Sequence, residues 1–440
     1  MVGTFRQRRV LSALLLGALA LGLAACGGVY PNSTFNHTSE YNTAIDGLWN
    51  TLLLWGTVVF VGVEIALVYT IVRFRRRPGG KTPEQVHGNT VLEITWTAIP
   101  AVILIFIAIP TVRTIFTTQA KAAPDALQVQ VIGHQWWWEF KYPQYGITTA
   151  NELYLPNGRT VNFELKTLDV LHSFWIPQLG GKRDLISNRS NFLWFTPNKD
   201  LPSSAFNGFC AEFCGTSHAN MKFRVFSVTQ DEFNKWSAHQ KTNGAFPLVA
   251  PTAAPTAAPT AATAPVRATS VVKTASLTMP VAADTTTLAT PAPAVEAWVF
   301  PKERIEKEFP ATIPTMPLPS TIAFDERVMG KGDAERGRQI YSRGMCIGCH
   351  AIAGNPMSAG VIGPNLTHVG SRHTIGGGLF PNDTKHLSYW IKSAPHLKPG
   401  SIMPTIGKGL VDPVRKNTVT MGGLTDAEIA DVVAYLQALK

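Results

Sequence analysis

A cluster of soft metal ligands lies near the middle of the chain. Cys210 and Cys214 stand four residues apart, and they are followed by His218 and Met221. Thiolate, imidazole and thioether groups are the ligands that suit copper. Two bridging thiolates, two imidazoles and a weak thioether would hold a copper pair in a rigid shell. Because such a shell changes little on reduction, the cluster predicts a fast electron-transfer centre.

The cluster needs a second imidazole, which must come from another loop. His172 is the strongest candidate, and His134 and His239 are its rivals. The backbone carbonyl of Glu212 would complete the second metal. Two alternatives stay open: a disulfide between the two cysteines, or a structural zinc site of two cysteines and two histidines. Neither alternative explains the thioether.

A second redox motif lies near the C-terminus. The run Cys346-Ile347-Gly348-Cys349-His350 is the attachment signature of a c-type haem. The two thiols bind the haem covalently, and His350 supplies the proximal nitrogen. The sixth ligand should be a methionine, which raises the reduction potential. The candidates are Met357, which is too close to His350, Met421, which abuts the last helix, and Met403. Met403 is preferred because the run from Lys398 to Pro404 resembles the methionine loop of class I cytochromes c.

Two predicted helices frame the haem motif. One runs from Asp333 to Tyr341, and the other is an amphipathic helix from Leu424 to Leu439 with a Thr–Glu capping box. The histidines around the motif are predicted to be surface residues and not ligands. They are His368, His373, His386 and His396.

The N-terminus reads as a secretion signal. Arg6, Arg8 and Arg9 precede a short apolar run that ends in small residues and Cys26. Such a box resembles a bacterial lipoprotein cleavage site, and it predicts that Cys26 is lipidated. An ordinary cleavage site with a chance cysteine is the alternative.

Two apolar stretches, residues 48–72 and 91–112, are each long enough to cross a membrane as a helix. The loop between them carries four arginines and a lysine, and positive charge in a short loop marks the cytoplasmic side. Both ends of this hairpin, and everything after about residue 119, are therefore predicted to lie outside. Glu64 and Glu93, at or near membrane depth, are candidates for function.

A β domain is predicted after Pro124, where the pattern changes to period two. The predicted strands cover 128–131, 153–155, 160–165, 191–195 and 221–228. Asn157-Gly158 predicts a hairpin between the second and third of them. Trp137 and Trp138 are predicted to pack at the barrel edge on the membrane surface. Short strands at this spacing indicate a sandwich or Greek-key barrel.

The amino-acid composition and charge indicate the class of protein and one flexible segment. The chain has 440 residues, 45% of them hydrophobic and 15% charged, which predicts membrane segments joined to soluble domains. The formal charge is +10, but no basic helix with interleaved aromatics occurs, which argues against nucleic acid. Residues 246–297 are rich in Ala, Pro and Thr and cannot form a core, so they predict a flexible tether.

Several segments together resemble one known family. Asp169 to Pro177, Gly180 to Asp184 and Cys210 to Met221 look like subunit II of the haem–copper cytochrome c oxidases. The resemblance runs from about residue 48 to residue 236, and it implies a cupredoxin barrel and the copper pair called CuA. Residues from about 330 to 440 resemble a class I cytochrome c, so the whole chain resembles a caa-type fusion.

The resemblance also implies roles for individual residues. The implied CuA ligands are His172, Cys210, the carbonyl of Glu212, Cys214, His218 and Met221. The Glu212 carboxylate would reach a magnesium ion shared with subunit I. Electrons would enter at Trp136, and Glu93 would stand at the mouth of a proton path into subunit I. The Pro364 carbonyl would orient the proximal imidazole.

The predicted architecture is multidomain: a two-helix transmembrane hairpin, an all-β cupredoxin Greek-key barrel, a flexible Ala/Pro/Thr linker and an all-α class I cytochrome c domain. The predicted boundaries are a signal peptide (1–25), an outer segment (26–47), the hairpin (48–112, cytoplasmic loop 73–90), the cupredoxin domain (119–240), the linker with an irregular segment (246–329) and the cytochrome c domain (330–440). The expected location is the bacterial cytoplasmic membrane, with both redox domains on its periplasmic or extracellular face.

The resemblance implies subunit II of an aerobic respiratory cytochrome c oxidase. Electrons would pass from the haem to CuA, then to haem a and the haem–CuB oxygen-reducing site of subunit I, coupled to proton translocation. Subunits I and III would be partners, and an external cytochrome c or a quinol–cytochrome c reductase complex the donor. Quinol-oxidising relatives lack the copper cysteines. The alternatives are a nitric oxide or nitrous oxide reductase component and a non-redox lipoprotein with structural zinc.

Overall fold

The computed structural model describes residues 14, 17, 30–76, 78, 79, 87–244 and 298–440. The predicted signal peptide, the lipidated Cys26 and the flexible linker over 246–297 lie outside these residues. The described chain forms a pair of long helices, a two-sheet β domain and a helical C-terminal domain.

The two long helices are α1, Glu40–Phe74, and α2, Thr90–Gln119. Side chains cap both at the N-terminus, because Ser39 accepts from the Asn42 amide and Asn89 accepts from the Leu92 amide, each at 3.2 Å. At 1.5 Å per residue the helices are about 50 Å and 45 Å long, which exceeds a hydrocarbon core of about 30 Å. Their apolar windows have no buried residue, as expected of helices that face lipid.

The outer ends of both helices are fixed to the β domain. Asn42 donates to the Pro177 carbonyl at 3.0 Å, and the Arg183 guanidinium donates to the Gln119 side chain at 2.6 Å. Tyr41 is buried and packs against Gly181. The β domain therefore sits directly on the outer end of the helix pair.

The β domain comprises ten strands in two five-stranded sheets. The strands are β1 Leu127–His134, β2 Trp137–Tyr142, β3 Ile147–Ala150, β4 Glu152–Pro156, β5 Val161–Thr167, β6 His172–Trp175, β7 Arg183–Leu185, β8 Asn191–Phe195, β9 Ser204–Cys210 and β10 Lys222–Val228. One sheet has the order β3-β2-β1-β5-β8 and the other β4-β10-β9-β6-β7. The pairs β1–β5 and β4–β10 are parallel, so strands cross between the sheets.

Two sequence-based expectations about this domain are wrong. The strands on either side of Asn157-Gly158 do not pair as a hairpin, because β4 pairs with β10 in one sheet and β5 with β1 and β8 in the other. Trp138 does not pack on the membrane surface; it is fully buried in the core, where its ring lies 5.7 Å from that of Phe174. In both cases the packing of side chains between the two sheets determined the structure, and the local sequence pattern did not.

The aromatic core between the sheets is centred on Phe174 of β6. Its ring stacks on Phe223 at a centroid distance of 5.1 Å and lies 5.3 Å from Phe163. Helix α3, Gln230–Gln240, closes the domain and begins with a Thr229–Glu232 capping box, as predicted. Because β6 starts at His172 and β9 ends at Cys210, this core holds two candidate metal ligands at the same end of the domain.

Part of the segment predicted to be irregular packs on the β domain. Phe300 is fully buried in the β-domain core, and its ring lies 5.1 Å from that of Phe226. It leads into helix α4, Lys302–Glu308, whose Ile305 is also buried. The chain is therefore anchored to the β domain again before the C-terminal domain begins.

The C-terminal domain is built from four helices and a short β pair. These are α5 Ala334–Arg343, β11 Thr374–Ile375, β12 Phe380–Pro381, α6 Thr384–Lys392, α7 Ala394–Leu397 and α8 Asp426–Ala438. Asp333 caps α5, and Thr425 with Glu428 forms the predicted capping box of α8. Helices α5 and α8 cross at Gly337, where a Cβ would lie 1.9 Å from the Asp431 carbonyl oxygen.

The aromatic core makes a stability prediction. Phe174→Ala should lower the free energy of unfolding of the β domain by about 3–5 kcal/mol, because it leaves a cavity between the sheets. Phe192→Ala is the matched control: Phe192 is 55% exposed, and its loss should change stability by no more than about 0.5 kcal/mol. Scanning calorimetry of the full chain measures both. Equal shifts of the β-domain transition would contradict this account of the core.

Candidate metal centres

The predicted copper ligands meet at one end of the β domain. The Cys210 and Cys214 sulfurs lie 3.7 Å apart. His172 Nδ1 lies 3.8 Å from the Cys210 sulfur, and His218 Nδ1 lies 3.6 Å from the Cys214 sulfur. The Met221 sulfur is 3.8 Å from Cys214. Each thiol thus has one imidazole beside it, which is the symmetry that a binuclear site requires.

The backbone carbonyl of Glu212 completes the ligand set. Its oxygen lies 3.2 Å from the Cys210 sulfur. The two sulfurs, 3.7 Å apart, are not joined as a disulfide, whose S–S bond is about 2.05 Å. The sulfur, nitrogen and carbonyl donors therefore converge on a space that fits soft metal ions, and the thioether fits copper better than zinc.

The two thiols are electrostatically coupled. The contact with Cys214 lowers the pKa of Cys210, although burial opposes it. The contact with Cys210, together with burial, raises the pKa of Cys214 well above its usual range. Metal binding at such a pair requires both thiols to lose their protons.

Asp169 orients His172, and the sequence offered no clear signal for this. Its carboxylate accepts from His172 Nε2 at 2.8 Å, which leaves Nδ1 free to face Cys210. The backbone amides of Gln135 and Val170 also donate to Asp169, at 2.6 Å and 2.7 Å. Such a carboxylate fixes the tautomer and the ring plane of a ligand histidine.

The rival histidines lie elsewhere. His134 faces Glu139 at 3.3 Å and stacks on Trp137 with ring centroids 4.0 Å apart. His239 is on α3, where its ring lies 4.6 Å from that of His368. Neither rival takes part in the sulfur cluster, which among the described residues groups His172 with the two cysteines.

The haem motif lines a large cleft in the C-terminal domain. Cys346, Cys349 and His350 share this cleft, whose volume is about 390 Å³, with mostly apolar side chains. His350 Nδ1–H donates to the Pro364 carbonyl at 2.8 Å, as the family resemblance implies. A Cβ on Gly363 would lie 2.5 Å from the His350 ring, so a glycine is needed there. Burial lowers the pKa of His350, which favours the neutral ring that binds iron.

The three methionine candidates separate by position. Met403 lines the haem cleft together with His350. Met357 is 57% exposed and Met421 is 95% exposed, and neither lines the cleft. The cleft therefore fits a c-type haem held between an imidazole and the thioether of Met403.

The expectation that the nearby histidines are surface residues is wrong for two of them. His368 and His373 are buried, at 4% and 8% exposure. His373 lies between the two domains, where its Nε2 donates to the Phe300 carbonyl at 2.7 Å. The sequence could not reveal this, because the covering residues belong to another domain.

Trp136 lies between the two candidate centres. Its indole Nε1–H donates to the Cys214 carbonyl at 2.9 Å. Its ring also borders the haem cleft and packs against Gly400, where a Cβ would lie 2.6 Å from the ring. Gly400 has φ +82°, in the left-handed region. This backbone lets the loop that carries Met403 approach the indole closely.

The remaining predicted residues are more exposed. Glu212 turns its carboxylate outward beside Phe213, which is 75% exposed. Glu93 is in the first turn of α2, where its carboxylate accepts from the Asn89 amide at 3.3 Å. Cys26 lies outside the described residues.

Three family models match the chain. "Cytochrome C oxidase subunit II, transmembrane domain" covers residues 34–114, and "Cytochrome C oxidase subunit II, periplasmic domain" covers residues 146–228. "Cytochrome c" covers residues 334–440. The cytochrome c oxidase subunit 2 of Bacillus subtilis is 30% identical, and the match spans 97% of both chains. This chain belongs to the cytochrome c oxidase subunit II family.

Other members of the family are similar to this subunit II. The cytochrome c oxidase subunit 2 of Alkalihalophilus pseudofirmus is 30% identical over 89% of this chain and 86% of its own length. The quinol oxidase subunit 2 of Bacillus subtilis is 31% identical, but it matches only 54% of this chain and 74% of its own length. The longer matches with the cytochrome c oxidase subunits extend over the fused haem domain.

Family membership confirms the predicted recognition and fold class. The chain is a cytochrome c oxidase subunit II with a fused cytochrome c domain, and it works in a haem–copper oxidase complex with other membrane subunits. Membership implies an electron-transfer role, a copper centre and a c-type haem. It argues against the alternatives of a nitrogen-oxide reductase component and a zinc lipoprotein.

The copper assignment predicts a difference between two buried histidines. His172→Ala should lower the copper content, because it removes a ligand at the sulfur pair. His134→Ala should keep the parent's copper content. Metal analysis and the electron resonance signal of the copper measure this. Equal copper content in the two variants, or zinc in place of copper in the parent chain, would contradict the assignment.

The haem assignment predicts a difference between two methionines. Met403→Leu should abolish the sulfur-to-iron absorption band and lower the reduction potential of the haem, because a thioether ligand raises it. Met421→Leu, which changes an exposed side chain in the same way, should leave both unchanged. If the band survives in Met403→Leu, another group is the sixth ligand.

Proposed function

We propose that this subunit relays electrons from its fused haem through a binuclear CuA centre to the haem–CuB oxygen-reducing site of subunit I, in an aerobic respiratory oxidase that translocates protons. The observation that carries the proposal is the contact of Trp136 with both candidate centres. When bound, a copper pair and a c-type haem supply one-electron redox chemistry. The chain's own residues hold them close together.

The side chains around the copper cluster have separate roles in this proposal. Cys210 and Cys214 would supply the thiolates shared by the two metals, and His172 and His218 would supply one imidazole each. The Met221 thioether and the Glu212 carbonyl would be the weak ligands. The distances between these atoms, 3.2 to 3.8 Å, support such an arrangement. A cluster built on strand ends and a short loop keeps its geometry when the charge changes.

An apolar surface beside the copper cluster supports docking on subunit I. Leu168, Leu171 and Phe213 are 72%, 47% and 75% exposed. Glu212, exposed next to Phe213, would reach a shared magnesium ion. Because the β domain rests on the outer helix ends, this surface would lie close to the membrane partners, which include subunit I and subunit III in the proposal.

The membrane part of the proposal concerns protons and location. Glu93 would accept protons at the mouth of a path into subunit I, and its place in the first turn of α2 supports this. The hairpin would lie in a bacterial cytoplasmic membrane, with both redox domains on the outer face. Cys26 would carry a lipid. The donor would be an external cytochrome c or a quinol–cytochrome c reductase complex.

The proposed function is tested with the subunit assembled with its partners. The complex should consume oxygen when given reduced cytochrome c. Trp136→Phe should slow oxygen consumption at least about tenfold, because it removes the indole bond to the Cys214 carbonyl between the two centres. The copper and haem spectra should stay unchanged. Trp194→Phe is the matched control, since Trp194 contacts Tyr41 and neither centre. A wild-type rate in Trp136→Phe would contradict the relay.

A further inference from the structure

The contact between the two domains is built from buried polar groups as well as apolar ones. Lys398 and Glu152, from different domains, are each only 3% exposed. The Glu152 carboxylate on β4 accepts from the amides of His373 and Thr374 in the cytochrome c domain, at 2.6 Å and 3.0 Å. A buried carboxylate is costly unless it is satisfied in this way. The contact therefore has defined partners.

A loop of three glycines brings the cytochrome c backbone onto the copper domain. Gly376, Gly377 and Gly378 all have positive φ, from +67° to +79°. The Lys222 amide on β10 donates to the Gly377 carbonyl at 3.0 Å, and Arg224 donates to the Gly378 carbonyl at 3.2 Å. Strand β10 thus continues its hydrogen bonding into the other domain.

Lys398 lies at the centre of this contact. Its ammonium donates to the backbone carbonyl of Trp136 and, at 2.9 Å, to the carbonyl of Gly376. No carboxylate within the described part of the chain forms an ion pair with it. The next residue, Pro399, accepts from the Ser217 hydroxyl of the copper loop at 2.6 Å. Lys398 therefore joins the haem-ligand loop, the triglycine loop and the copper domain at one point.

The ammonium of Lys398 is buried at the border between the haem cleft of its own domain and Trp136 of the copper domain. Burial lowers the pKa of Lys398, and the two backbone carbonyls that accept from its side chain stabilise the ammonium form. A lysine that served only its own domain would reach solvent through its long stem. Here the charge is held against the carbonyl of the residue that connects the two centres.

We propose that Lys398 is a positioning residue that locks the cytochrome c domain onto the copper domain with Trp136 at the mouth of the haem cleft. This inference rests on the proposed function. One electron would leave a ferrous haem, which becomes ferric, and the copper pair would gain it. No bond or proton is transferred in that step, so its rate depends on the relative position of the two domains.

Hydrogen exchange in the full-length chain tests the lock without relying on activity. Lys398→Met keeps the length of the side chain but removes the ammonium. The amides of Lys222, His373 and Thr374, which bond across the contact, should exchange at least about tenfold faster. Amides inside α8 should keep their protection. Lys385→Met, at an exposed lysine of the same domain, should change none of them.

Flash-induced electron injection into the haem gives the second readout. In Lys398→Met the transfer from haem to copper should slow at least about tenfold, with the haem band and the copper signal unchanged. Wild-type exchange at the three amides would overturn the proposal. Loss of haem in the variant would also overturn it, because Lys398 would then serve the haem domain itself. If the parent chain binds no copper pair, the proposed function fails. The hydrogen-exchange result still tests whether Lys398 holds the two domains together.

Gly377→Ala tests the same contact from the other side. A Cβ there would lie 2.5 Å from the Lys398 ammonium, and Gly377 has a positive φ. The variant should displace the ammonium with Lys398 still present, and the same three amides should lose protection. Unchanged protection in this variant would likewise contradict the role of Lys398.

Discussion

The position of the two redox domains relative to each other depends on the contacts that the indole of Trp136 makes with both of them. Electron transfer slows steeply with distance, so two centres on separate domains are useful only when the domains keep a fixed position. Trp136 donates to the Cys214 carbonyl at 2.9 Å, and the Gln135 side chain donates to the same oxygen at 2.8 Å. The turn between β1 and β2 is thereby tied to the copper loop, and the haem cleft lies against its other side.

Keeping Trp136 in this position depends on elements that are distant from it in the sequence. The copper loop is fixed because β6 and β9 pack on the Phe174 core. The helix pair is fixed because α1 bonds to the loop after β6 and α2 bonds to β7. The membrane hairpin, the aromatic core and the copper ligands therefore form one support. Asp169 extends it to the imidazole, since it bonds both His172 and the Gln135 amide.

Local chemistry was predictable from the sequence, and contacts between domains were not. The sulfur cluster, the haem motif and the capping boxes at Thr229 and Thr425 each lie within a few residues, so their spacing is enough to indicate them. Asn157-Gly158 gave a wrong hairpin prediction. Whether the strands on either side pair with each other or cross to different sheets is decided by the packing of both sheets. His373 was wrongly predicted to be a surface residue. It is buried by contacts with Glu152 and Phe300, which are distant in the sequence.

The second anchor of the chain explains how such a polar contact can hold. Residues 298–313 pack on the β domain, and the chain joins the core of the cytochrome c domain from about residue 316 onward, so the two anchors are almost adjacent in the sequence. A short tether gives a high effective concentration and a small entropy cost of docking. The contact itself then needs little net affinity. Its buried charges can instead fix orientation, because a misplaced domain would leave Glu152 and Lys398 buried without partners.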